Sequence, residues 1–190
     1  PNLASGGIPP PDDFANRSPR HPWIAYLHIV PGLAYLLAAP FQFSATARSR
    51  NIERHRRRGR FLLVLGLMSG VFALAFGLLF PFGGRVQASA TAFFGAWFLL
   101  SLSLAYRSIR RGDLVEHRRW MIRAFATGLA VGTIRIWVGL FEGFGWLEFR
   151  DAFGLSFWLA FALHALAAEV WLRVNPLPAE VAAHVTNSSL

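Results

Sequence analysis

The chain has 190 residues, of which 54% are apolar and 15% aromatic, and this composition is too apolar for an ordinary soluble domain of that size. All 19 basic residues are arginine and cluster beside apolar segments, so the net charge of +9 indicates membrane topology and contact with anionic headgroups. Cysteine is absent, which excludes thiol chemistry, thiolate-bound iron–sulfur clusters and disulfide bonds. We therefore expect an all-α integral membrane helical bundle with about five transmembrane helices.

The first part of the chain combines a non-helical segment with a bent helix. Residues 1–22 are rich in proline and glycine, and we expect an exposed N-terminal segment there. The first predicted span, 23–45, contains Pro31 and Pro40, each of which is expected to bend the helix or free a backbone carbonyl. Because the sequence begins at Pro1 rather than at a methionine, a signal peptide or a further helix can precede it, and the predicted helix count is a minimum.

Four more spans are predicted at residues 61–82, 88–106, 120–141 and 152–174. Gly66 and Gly70 in the second span have the small-xxx-small spacing that lets two helix backbones approach closely. Gly112 is expected to end the third helix. Asp113 has the capping-box spacing to Glu116, so the fourth helix is predicted to begin before its apolar part.

Arginines are distributed unequally between alternate loops. The loops after the first and third spans hold Arg48, Arg50, Arg54, Arg56, Arg57, Arg58, Arg60, Arg107, Arg110, Arg111, Arg118, Arg119 and Arg123, and the opposite side holds only Arg17, Arg20, Arg85 and Arg150. Because short cytoplasmic loops carry the arginine excess, we expect the N-terminal segment outside the cytoplasm. The transmembrane bundle is then predicted over 23–174, with a cytoplasmic C-terminal tail at 175–190.

Ionisable side chains at membrane depth each need a partner or a role, and four are worth following: His28, Arg135, His164 and Glu169. Glu169 lies about 7 Å from the cytoplasmic end of the fifth span by helical rise, so a loop arginine is expected to neutralise it. For His164 we favour a histidine whose hydrogen bonds are satisfied within the bundle.

His28 and Arg135 have similar predicted depths near the outer side, where they could share one site. Arg135 is the strongest single candidate because no acid adjoins it at that depth. Its alternatives are a salt bridge to Glu142 or Glu148, or snorkelling to the outer headgroups. The alternative for His28 is a histidine that bonds backbone freed by Pro31.

Two further histidines lie at the cytoplasmic ends of their spans, in His55-Arg56-Arg57-Arg58-Gly59-Arg60 and His117-Arg118-Arg119-Trp120-Met121-Ile122-Arg123. One interpretation is that histidines from neighbouring helices bind a metal or a heme iron, with arginines paired to heme propionates or to the polar head of a quinone. The other is that both are interfacial histidines, hydrogen-bonded to loop carbonyls or lipid phosphate. The sequence leaves both open.

These motifs, taken in order, resemble a known family. The series consists of His28 with Gly32, Pro40-Phe41-Gln42-Phe43, the His55 and His117 motifs, Gly112-Asp113, Arg135 and Ala168-Glu169. It resembles the bacterial membrane proteins called domain of unknown function 2306, over residues 23–172. The resemblance implies a small multi-span protein of the bacterial cytoplasmic (inner) membrane, commonly with one more helix before the first histidine. His164 stands where a different polar residue is expected, so no role is carried over to it.

That family has no assigned activity, and its histidine pattern is loosely similar to proteins tied to cytochrome oxidase assembly and to diheme membrane cytochromes. The leading hypothesis is therefore a redox-associated module that binds heme b or a quinone through His28, His55, His117 and Arg135. The alternative is a non-catalytic accessory or scaffolding subunit packed against a larger membrane bioenergetic complex. No catalytic motif is recognised. Membrane lipids, including anionic headgroups, and other membrane subunits are the expected partners, and nucleic acid is not.

Overall fold

The computed structural model describes residues 22–176, so the predicted N-terminal segment and most of the C-terminal tail lie outside the described residues. Within that range the chain is all helical, with α1 Pro22–Ala38, α2 Pro40–Phe43, α3 Ala45–Arg50, α4 Ile52–Leu79, α5 Gly84–Arg110, α6 Leu114–Gly143 and α7 Phe149–Val174. Five helices are long and apolar enough to cross a membrane, counting α1 and α2 together as the first. The predictions of an all-α bundle and of five spans are confirmed.

Side-chain caps explain why two helices begin well before their apolar parts. The side chain of Asn51 accepts a hydrogen bond from the backbone N–H of Arg54 at 2.8 Å, so α4 begins earlier than the predicted span. Asp113 caps α6 in the same way, accepting from the backbone N–H of Glu116 at 2.9 Å. Gly112 precedes this cap with a φ of +81°, a backbone conformation that favours glycine. The predicted early start of the fourth helix is confirmed.

The two prolines of the first span act differently. Pro31 remains inside α1, whereas Ala39 separates α1 from α2 directly before Pro40. Near Pro31, the hydroxyl of Ser69 on α4 donates a hydrogen bond to the backbone oxygen of His28 at 2.9 Å. A side chain of the neighbouring helix thus bonds the backbone within one turn of the proline.

The helices pack side by side, with α1 on α4, α4 on α5, α5 on α6, and α7 against both α5 and α6. One buried cluster joins α1, α4, α5 and α6 and contains Tyr35, Ala39, Leu62, Leu102 and Ala124. A second joins α5, α6 and α7 and contains Ala90, Phe94, Ala130, Ile134, Val138, Ala160 and Phe161. We call the end of the bundle where α4 and α6 begin the arginine-rich end, and the other the arginine-poor end.

The closest approach of two backbones lies outside the predicted glycine pair. A Cβ atom on Gly83 would lie 2.6 Å from the backbone nitrogen of Gly154, so α7 packs directly on the start of α5. Gly66 and Gly70 instead make room for side chains of neighbouring helices, among them Tyr35 and Leu102 at Gly66. Small residues on α4 therefore accept large side chains, although their spacing would also permit a close approach of backbones.

Candidate functional site

The ring of Tyr35 lies at the centre of the first cluster and separates α4 from α6. A Cβ atom on Gly66 would lie 3.3 Å from one edge of this ring, and a Cβ atom on Gly128 would lie 3.7 Å from the other edge. Tyr35 is 2% exposed, and Leu102 at Gly66 and Leu36 at Gly128 pack beside its ring. Gly66 and Gly128 therefore lie at similar depths, and each lies on the side of its helix that contacts the Tyr35 ring.

This register places His55 and His117 at similar depths. Each histidine precedes its glycine by eleven residues, His55 before Gly66 and His117 before Gly128. Eleven residues make about three full turns and about 16 Å of helix, so each histidine lies near the helix face of its glycine. Because α4 and α6 both begin at the arginine-rich end, both histidines lie near that end.

The imidazole of His117 is held by the backbone of α5. Its Nδ1 lies 2.9 Å from the backbone oxygen of Ala105, a residue with no exposed surface. Since a carbonyl oxygen only accepts, Nδ1 carries the proton and donates it. Nε2 is then the nitrogen with the free lone pair, which is the arrangement found in histidines that ligate metals.

Gln42 on the short helix α2 lies near the first turns of α4, close to Gly59. A Cβ atom on Gly59, one turn from His55, would lie 3.9 Å from the side-chain oxygen Oε1 of Gln42. That oxygen is buried, and no hydrogen-bond donor reaches it from residues 22–176. A buried acceptor without a donor is uncommon in proteins. We define the His55–His117 site by His55, His117 and Gln42.

His28 and Arg135 have the similar depths that the sequence predicted, seven residues to the outer side of Tyr35 and of Gly128 respectively. The structure does not bring them together. The Nδ1 of His28 donates to the backbone oxygen of Ser69 at 3.1 Å, on α4. His28 thus bonds the backbone of the neighbouring helix rather than backbone freed by Pro31.

Arg135 is exposed on α6, and its guanidinium carbon lies 5.9 Å from the ring centre of Phe153 on α7. Within the described range, no carboxylate lies within 4 Å of it, so the predicted alternatives of a salt bridge to Glu142 or Glu148 are not observed. His164 donates from Nδ1 to the backbone oxygen of Ala160 at 2.9 Å, in agreement with a satisfied bundle histidine.

A second group of charged residues joins α6 to α7. The Nε and Nη2 of Arg123 donate to the two carboxylate oxygens of Glu169 at 2.6 and 3.0 Å. The prediction that a loop arginine neutralises Glu169 is confirmed. The guanidinium of Arg123 also lies 4.6 Å from the ring centre of Trp120, whose ring is 5.8 Å from that of Trp97 on α5.

Two adjoining recesses open beside this ion pair. One has a volume of about 600 Å³ and is lined by Arg119, Glu116 and Arg173 together with the ion pair and both indoles. The other, of about 320 Å³, shares Trp97 and the ion pair and continues along apolar α7 residues. We call them the charged recess and the apolar recess. None of the four predicted site residues lines either of them.

Sequence reasoning missed Gln42 and Trp97. Gln42 carries a signal in the sequence, because it is a polar residue between two phenylalanines directly after a proline. Trp97 carries none, since an indole in the middle of an apolar span is consistent with simple lipid contact. Among residues 22–176, no group of three or more histidines and acids is placed to hold a metal ion. At the His55–His117 site the protein would therefore supply only the two imidazoles as ligands, which suits a heme, whose macrocycle supplies the other four nitrogens.

Comparisons with known proteins give one match, to a family. A family model described as a predicted membrane protein matches residues 25–172, a range that includes the His55–His117 site and the Arg123–Glu169 pair. No curated protein matches the chain, and no solved structure matches it. The match covers most of the chain and nearly all of the helical bundle. The chain therefore belongs to the predicted membrane protein family called domain of unknown function 2306, as the resemblance of its motifs implied.

Proposed function

We propose that this protein is a redox-associated membrane module that binds heme b at the arginine-rich end of the bundle, where His117 and His55 would hold it. The observation that carries the proposal is the hydrogen bond from His117 Nδ1 to the backbone oxygen of Ala105. This bond fixes the ring orientation and leaves Nε2 as a ligand. The similar depth of His55 on the parallel helix α4 supports the second ligand.

Two arginines and a glycine beside the histidines are also suited to a bound heme. Arginines follow each histidine directly, Arg56 after His55 and Arg118 after His117, and guanidinium groups pair well with propionates. Gly59 leaves space beside the site, since only Gln42 lies near the position of its absent Cβ atom. A bound heme would supply one-electron transfer, and the protein would set its orientation and its polar surroundings.

The test is an oxidised-minus-reduced visible spectrum of protein purified in detergent from cells supplied with excess heme, with metal analysis of the same sample. We expect one Soret band per chain, which His117→Ala abolishes and His55→Ala shifts or strongly reduces. His164→Ala is the matched control, because that imidazole bonds only its own helix in the described structure, and it should keep the band. A colourless wild-type protein overturns the heme proposal. Quinone recovered from that colourless protein in stoichiometric amount would make quinone the cofactor instead.

A second candidate function is an accessory subunit of a larger membrane complex, and Arg135 favours it. An exposed arginine at membrane depth is unfavourable by roughly 2.5 kcal/mol on insertion scales unless something negative or polar meets it. An acidic residue of another subunit would do so. A photo-crosslinking amino acid placed at position 136, next to Arg135, should then capture one defined membrane protein. Arg135→Gln should abolish that capture, and capture of lipid alone would reject this candidate.

We further propose that the arginine-rich end faces the cytoplasm of a bacterial inner membrane, which places the C-terminal tail there. The support is the concentration of arginines in the first turns of α4 and α6 and in the last turn of α5. Fusions of green fluorescent protein and of alkaline phosphatase to the C-terminus test this directly. Fluorescence with no phosphatase activity is expected, and the reverse pattern would overturn the orientation.

A further inference from the structure

The charged recess contains one more cation than anion. Arg119 pairs with Glu116 at 2.6 Å, and Arg123 pairs with Glu169 at the same distance. Arg173 also lines the recess, and in the described part of the chain no carboxylate lies within 4 Å of it. The recess therefore has a net charge of +1, located at the last turn of α7.

Arg123 has a fixed orientation in this recess. Its Nε and Nη2 are held by the carboxylate of Glu169, and its plane lies against the indole of Trp120. The N–H groups of Nη1 have no acceptor among residues 22–176. A guanidinium that is already ordered loses little entropy when it binds a further acceptor. Arg123 thus offers preorganised donors close to the positive charge of Arg173.

The apolar recess continues from the charged one toward the middle of the bilayer. It shares Arg123 and is lined by Ala165, Leu166 and Ala168 of α7. Ala165 precedes Arg173 by eight residues, or about 12 Å of helical rise, and therefore lies further from the headgroups and deeper in the hydrocarbon. The two recesses together offer a positively charged polar region joined to an apolar groove.

We propose that these recesses bind one anionic phospholipid, whose phosphate contacts Arg173 and the Nη1 of Arg123 and whose acyl chain lies along Ala165 and Leu166. Basic pockets between helices at the cytoplasmic side of a membrane characteristically hold anionic headgroups. A free phosphate would match the charge but not the apolar groove, and a neutral lipid would match the groove but not the charge. This site is separate from the His55–His117 site and independent of heme.

The experiment is native mass spectrometry of the full chain after exchange into detergent with equal amounts of phosphatidylglycerol and phosphatidylcholine. We expect one phosphatidylglycerol to remain bound, with little phosphatidylcholine. Arg173→Gln should lower the retained phosphatidylglycerol about fivefold, and Arg173→Lys should restore most of it. The matched control is Arg110→Gln, an exposed arginine in the last turn of α5 at the same end, and it should leave retention unchanged.

Filling the apolar groove tests the acyl-chain half of the proposal. Ala165→Trp should reduce retention of phosphatidylglycerol as strongly as Arg173→Gln, although it changes no charge. Equal retention of the two lipids, equal loss in Arg173→Gln and Arg110→Gln, or displacement of the lipid by millimolar inorganic phosphate would each overturn the proposal. Thermal unfolding of every variant identifies any that has lost its fold, and Arg173→Lys serves as the folded comparison for Arg173→Gln.

Discussion

The two ends of the bundle are built differently. At the arginine-poor end, α5, α6 and α7 enclose an apolar cluster in which the rings of Phe94 and Phe161 stack with their centres 5.0 Å apart. There the backbones of Gly83 and Gly154 are nearly in contact. At the arginine-rich end, the contacts between helices include many polar ones, such as the Arg123–Glu169 ion pair and the bond from His117 to Ala105.

This difference indicates that one end of the bundle holds the helices together and that the other end binds charged groups. Tight apolar packing fixes how α5, α6 and α7 are arranged, and residues without ionisable groups can supply it. Charged groups at membrane depth are expensive, and within residues 22–176 both ion pairs lie at the arginine-rich end, where binding of charged groups is expected. If this contrast is correct, substitutions in the contact of Gly83 with Gly154 should change stability alone, whereas those at the charged residues of the arginine-rich end should also change what the protein binds.

The largest effect is expected from Gly83→Ala. The added methyl group would lie 2.6 Å from the backbone nitrogen of Gly154, and backbone cannot move aside as a flexible side chain can. We expect destabilisation of about 3 kcal/mol, measured as a lower midpoint of thermal unfolding in detergent. Gly132→Ala is the control, because nothing lies within 4 Å of its added Cβ atom, and it should stabilise α6 by about 0.5 kcal/mol. Equal effects would mean that the contact of α5 with α7 is not tight.

The second largest loss of stability is expected when the Arg123–Glu169 ion pair is broken. Glu169→Gln leaves Arg123 without its counter-charge at membrane depth and should destabilise the fold by about 2 kcal/mol. The double variant Arg123→Gln with Glu169→Gln should be more stable than Glu169→Gln alone, because no unpaired charge remains. Glu116→Gln breaks the Arg119 pair, whose arginine side chain is 48% exposed, and should change stability by less than about 0.5 kcal/mol. A double variant less stable than Glu169→Gln would show that Arg123 stabilises the bundle without its carboxylate partner, through its contact with the Trp120 ring.

That pair also shows how far the sequence could predict the structure. The position of Glu169 near the end of an apolar span requires a cation, and this requirement can be read from residue types and helical rise. Several arginines of the neighbouring loop meet it equally well, and Arg123 is selected only by how α6 lies against α7. That arrangement depends on side chains of both helices, including the close packing of α7 on α5 at Gly154.

The His55–His117 site has the same limit. The periodicity of α6 places His117 on the face of Gly128, but only the insertion of Tyr35 between Gly66 and Gly128 relates that face to α4. Caps such as Asp113 were predictable because a cap involves only local residues. Contacts between helices were not predictable, since one helix's pattern does not encode its register with another.

The smallest of these losses of stability is expected at the hydrogen bond that joins α1 to α4. Ser69→Ala removes the hydroxyl that donates to the backbone oxygen of His28 beside Pro31, and should lower stability by about 0.6 kcal/mol. Ser103→Ala is the matched control, because its hydroxyl bonds Leu99 of its own helix on an exposed face, and its unfolding midpoint should hardly change. If both variants behave alike, the contact of α1 with α4 rests on packing alone. A clear difference would instead make the Ser69 bond part of what positions α1, and with it Tyr35, whose ring sets the register of the His55–His117 site.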